Sequence, residues 1–169
     1  MAGRRHAFLC QGGDRQISVF AQAFGSSGNR AKAPALLEAP IASELTIDRA
    51  GDDELHGLKW VARPQTVWSS NIINPEGTVW VSWAPNQGDY RYRFDTFLGD
   101  RIVSTRISLP EKGMQDVTGL AQSRSGWVVV AAVNIRSAGA KRYLVEIDQT
   151  GRLTRIAALT ERQYAMISD

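Results

Sequence analysis

The sequence predicts an all-β protein, and three observations carry that expectation. Apolar and polar side chains alternate with a period of two over residues 79–83, 90–98 and 103–109. That period puts successive side chains on opposite faces of a strand. Clusters of turn formers separate the runs, as at Asn74-Pro75-Glu76-Gly77, Gly99-Asp100 and Asp148-Gln149-Thr150-Gly151; each supplies a local hydrogen-bonding side chain or the freedom of glycine. Valine, isoleucine, tyrosine, phenylalanine and tryptophan fill the runs, the residues that suit a pleated surface.

At 169 residues the chain suits a single domain. Hydrophobic residues at 43% and charged residues at 22% exclude disorder as the ground state. A net charge of +3 is too small for a dedicated DNA binder, so nucleic acid is not an expected partner.

In chain order, short strands are expected at residues 7–10, 16–24, 44–47 and 58–62. A polar loop spans 25–35, a short helix starts at Ala35 and stops before Pro40, and an acidic turn runs over 48–57. After the turn at Asn74, Val79, Val81 and Trp83 share one strand face, with Trp80 and Ser82 on the other. Tyr90, Tyr92 and Phe94 then alternate with Arg91, Arg93 and Asp95, which predicts an aromatic inner face and a charged outer one. Val103, Thr105, Ile107 and Leu109 continue the pattern until Pro110, which cannot donate to a ladder. Residues 127–135 are apolar on both faces and read as a central strand. Tyr143, Val145 and Ile147 mark the next strand, and the turn at Asp148 leads into a last one.

The two halves of this region follow one plan. Gly77 and Gly126 stand 49 residues apart. Each precedes an apolar strand, a loop, a second strand, a tight turn and a third strand. Over about residues 71–159 the chain resembles β-propeller blade repeats, in units of about 71–110 and 117–159. That resemblance implies a small propeller-like arrangement of antiparallel three- to four-stranded sheets; the alternative is a two-sheet β-sandwich. It implies nothing about a ligand.

Catalytic and cofactor signatures are few. One cysteine, Cys10, excludes an internal disulfide, and Cys10 with His6 and His56 falls short of a zinc ligand set. The acidic turn at Asp48, Asp52, Asp53 and Glu54 lacks the alternating spacing of a calcium loop. The nucleophile-elbow, dinucleotide and phosphate-loop motifs do not occur. The expectation is therefore no cofactor and no metal. The chain as written has no apolar run long enough to span a membrane and no leader-like apolar region. It is expected to be a non-exported protein, cytoplasmic, or periplasmic if it is a mature form.

The functional expectation is a non-enzymatic binding protein that recognises another protein through loops at one end of its sheets. A stoichiometric inhibitor, such as the immunity partner of a bacterial toxin, would fit a domain of this size. Two other readings stand beside it: a hydrolase or lyase with its site in a propeller depression, and a half-propeller completed by dimerisation. The candidate contact residues are Trp80, Arg91 and Arg93 on the strands, with Lys112 and Met114 in the loop Pro110–Asp116.

Overall fold

The period-two runs become strands. A computed structural model gives the fold and describes residues 6–8, 20–22, 35–38, 46–64, 71–86, 89–107, 109–111, 113–134 and 138–169. In chain order the elements are β1 (His6–Phe8), β2 (Phe20–Gln22), β3 (Ala35–Glu38), β4 (Ile47–Arg49), α1 (Asp52–His56), β5 (Lys59–Ala62), β6 (Asn71–Ile73), β7 (Val79–Asn86), β8 (Asp89–Leu98), β9 (Arg101–Ile107), β10 (Gln115–Gln122), β11 (Gly126–Val133), β12 (Lys141–Asp148), β13 (Leu153–Leu159) and α2 (Glu161–Ser168).

Two large sheets result. Strands β6 to β9 form an antiparallel meander, extended by β3 running parallel to β9. Strands β10 to β13 form a second meander, with β4 parallel to β13 at one edge and β5 antiparallel to β10 at the other. A separate hairpin pairs β1 with β2.

The facing sides of the two sheets close on one apolar core. Val79, Val81, Phe94 and Ile107 come from one sheet, and Val117, Val129, Val145 and Ile147 from the other, all nearly inaccessible to water. The outer face of the six-stranded sheet carries a second cluster, in which Val128, Val130 and Leu144 meet Leu55 of α1 with Tyr164 and Ile167 of α2. The order of layers is thus sheet, sheet, helices. A hydrogen bond from the Thr105 hydroxyl to the Gly151 carbonyl ties the two sheets together.

Turn chemistry fixes the connections. The Asn74 side-chain oxygen accepts from the amides of Thr78 and Val79, each at 2.8 Å, which closes the turn before β7. Asp148 does the same before β13, accepting from Thr150 N at 2.8 Å and Arg152 N at 3.0 Å. Burial opposes the Asp148 charge, but these bonds hold its carboxyl below the usual range.

The all-β expectation holds, in the two-sheet form given as its alternative. The propeller resemblance does not. The two units are indeed four-stranded meanders, but each is the antiparallel body of one of two mixed sheets packed face to face, and no closed or propeller-like sheet forms among the described residues. The central depression and the half-propeller dimer therefore lose their architectural basis. The helix expected from Ala35 is β3, because pairing with β9 outweighs the helical preference of Ala-Leu-Leu-Glu. The acidic turn holds the one-turn helix α1. Cys10 and most of the loop at 25–35 lie outside the described residues.

Candidate interaction surface

Three of the candidate contact residues belong to β7 and β8. In the ladder Trp80 pairs with Asp95, Ser82 with Arg93, and Ala84 with Arg91. Asp95 pairs in turn with Ser104 of β9, and Arg93 with Arg106. Trp80, Ser82, Arg93, Asp95 and Ser104 alternate with the core set, so they fall on the face turned away from the second sheet. Trp80 is 6% exposed, so it offers a partner almost no surface. The Arg91 side chain lies outside the described residues.

Arg93 is not the solvated arginine that alternation suggests. Its guanidinium holds the Asp95 carboxylate at 3.0 Å through Nε and 2.8 Å through Nη2, and Asp95 is 1% exposed. Both contacts fall on Oδ2; Oδ1 has no hydrogen-bond partner among the described residues. Burial pushes the Asp95 carboxyl above its usual range, while Arg93 first and Ser104 second pull against that rise.

The sign of the pH dependence follows. A carboxyl with a raised folded pKa binds its proton more tightly in the folded state. It therefore subtracts stability as pH rises from the ordinary carboxylate value through the folded one. Arg93→Gln removes the main opposing charge and raises that pKa further. The variant is expected to lose about 3 kcal/mol at pH 7, the lower range for breaking a buried pair. The loss should shrink as pH falls from 7 to 4, because the raised carboxyl takes up its proton over that fall and protonation removes the charge that Arg93 balances. Urea melts at both pH values test this; a loss below about 0.5 kcal/mol at pH 7, or an equal loss at both, overturns it.

The other two candidates lie in the β9–β10 connection, at one end of the sandwich. Lys112 is outside the described residues; Met114 is half-buried. This connection is braced against its neighbours. The Asn134 amide donates to the Met114 carbonyl at 2.8 Å, locking it to the end of β11. Asn134 itself sits at φ 54°, a left-handed conformation that asparagine tolerates better than most residues. Glu111 accepts from the Tyr143 hydroxyl and, at 2.9 Å, from the Lys141 ammonium. Burial opposes the Glu111 charge, yet those two donors hold its carboxyl below the usual range. For Tyr143, burial and the adjacent carboxylate both push the phenol upward, so it stays protonated and keeps donating.

The structure thus splits the five candidates. Trp80 and Arg93 share a sheet face and are largely used inside the fold, while Met114 stands on a braced loop end. Sequence reasoning missed Glu111, Asn134 and Tyr143, which hold that end in place. The adjacency of Glu111 to Lys112 was visible, but its partners are 30 and 32 residues away. Among the described residues no group of three or more His, Cys, Asp or Glu side chains could hold a metal, and no helix is long and apolar enough to cross a membrane. Comparison with known proteins finds no matching family model, no matching curated protein and no matching solved structure.

Proposed function

We propose that this chain is a non-enzymatic protein-binding module that uses the loop end containing Lys112 and Met114. The observation that carries the reading is the bracing of this end by Glu111, Tyr143, Lys141 and Asn134. Binding must otherwise pay for the ordering of loops, so a loop held in place before contact retains more of its interaction energy. Met114 adds an adaptable apolar side chain of the kind enriched at recognition surfaces. A stoichiometric inhibitor, including the immunity partner of a bacterial toxin, is the form of binding this small module best serves.

The test begins with co-purification from the native host and identification of the bound protein. Titrations with that purified partner follow. Lys112→Ala and Met114→Ala are expected to weaken binding at least tenfold, as contact-centre truncations do at about 1.4 kcal/mol per decade. Their denaturant midpoints should stay at the wild-type value. Unchanged affinity in both variants overturns the assignment of this end as the contact surface.

A further inference from the structure

On the helix-covered side lies a cleft of about 180 Å³, walled by Leu55 of α1, Leu58 and Trp60 of the following segment, and Ile167 of α2. Met166, His56 and Arg63 also line it. His56 and Arg63 are exposed, and neither side chain makes a hydrogen bond or ion pair with another residue among those described. Among the described residues no carboxylate lines the cleft.

The walls are fixed. On α1, Glu54 is bound by Arg155 at 2.9 Å, and Arg155 is also held by Asp48 at 2.9 Å and Glu146 at 2.8 Å. On α2, the Gln163 amide donates to the Ala50 carbonyl at 2.7 Å and to Asp52 at 2.9 Å. A Thr160–Gln163 capping box starts that helix. The Arg142 guanidinium lies 4.1 Å from the Tyr164 ring centre and pairs with Glu161. Asp48, Asp52, Glu54, Glu146 and Glu161 are turned to these tasks, which leaves His56 and Arg63 as the charged-type side chains among the described residues that line the cleft.

We propose that this cleft binds a small aromatic carboxylate, with the ring against Trp60 and the leucines and the acid on Arg63. The proposal is independent of the loop-end reading, since the cleft lies on the opposite side of the six-stranded sheet from the core. Size sets the class. The cleft is smaller than the roughly 300–1,000 Å³ that houses drug-sized ligands, which leaves space for one ring and a short acid arm. Charge sets the rest, because an unpaired guanidinium is a ready carboxylate fork and a neutral ring would leave it unused.

Phenylacetate and the uncharged phenylacetamide are the probes, titrated by calorimetry into the full chain. A ligand of about ten non-hydrogen atoms at about 0.3–0.5 kcal/mol per atom should bind with a Kd of about 0.2–6 mM. The amide should bind at least tenfold more weakly. Arg63→Gln should weaken phenylacetate about tenfold and leave the amide unchanged, and its melting temperature should match the wild type because Arg63 is exposed and without a partner among the described residues. Trp60→Phe reports the site independently: the tryptophan emission change on phenylacetate binding should vanish. Absence of saturable phenylacetate binding up to 10-fold above the expected Kd overturns the proposal, as does equal affinity for acid and amide or an Arg63→Gln variant that binds as well as wild type.

Discussion

Gly126→Ala is expected to cost the fold about 4 kcal/mol, whereas Gly77→Ala costs only about 1, although the two glycines hold equivalent places in the sequence repeat. Gly77 sits at φ 66° in an open turn with nothing within 4 Å of where a Cβ would be. Its substitution incurs only the left-handed penalty of about 1–2 kcal/mol. Gly126 opens β11 at φ 155° and pairs with Asp148 across the ladder. A Cβ there would drive into the Ile147 carbonyl oxygen and come within 2.8 Å of the Asp148 Cα. Both obstacles are backbone in a central strand pair, so neither swings aside as a flexible side chain does. Overpacking at about 1–3 kcal/mol and backbone strain at about 1–3 kcal/mol act together. Urea melts of the two variants measure the difference. A Gly126→Ala loss equal to that of Gly77→Ala would mean that β11 and β12 do not pair in this register.

That contrast shows what a sequence repeat conveys and what it omits. The two meanders were legible because their pairing is local: β7 with β8, β8 with β9, and β11 through β13 are neighbours in the chain, and their alternation and turn residues lie inside the same short windows. The relation between the meanders was not legible. Blade-like units can be arranged around an axis or laid face to face, and the choice depends on which surface each sheet buries. Here β3, β4 and β5, all from before residue 65, extend the sheet edges. Two of them pair in parallel with strands more than 60 residues away, which no local window displays. Strand β10 escaped notice for another reason. Residues Gln115–Ala121 are all buried, polar and apolar alike, so no alternation betrays them. Helix α2 did carry a readable signal, Thr160 followed three residues on by Gln163.

The candidate site was legible to a smaller degree. Alternation correctly separated Phe94 from its arginine and aspartate neighbours, yet it predicted solvent for Arg91, Arg93 and Asp95, while Trp80 on the same face was expected to be covered. It could not reveal that Asp95 is buried there, because burial of a charged residue on an outer sheet face is decided by residues remote in sequence. The Arg93-x-Asp95 spacing was the available clue: positions two apart on a strand share a face, and an arginine beside a carboxylate on that face is set to pair.

The two faces of β8 should accordingly fail in different ways. Phe94 is fully buried between the sheets, pairing with Val81 and Thr105 in the ladder. Phe94→Ala deletes a ring from the centre of the main core and leaves a cavity lined by two rigid sheets. The strands are held by their ladders, so the walls collapse little, and the expected loss is about 3–5 kcal/mol. No titratable group contributes to that loss, so it should be the same at pH 4 and pH 7, unlike the loss in Arg93→Gln. Paired urea melts at the two pH values distinguish the mechanisms: the Phe94 loss reports packing, and the Arg93 loss reports a charge. A Phe94→Ala loss below about 1.5 kcal/mol would be that of a shallow, collapsible site rather than a central one. That result would contradict the close packing of the two sheets across β8, on which both the core and the orientation of the polar face depend.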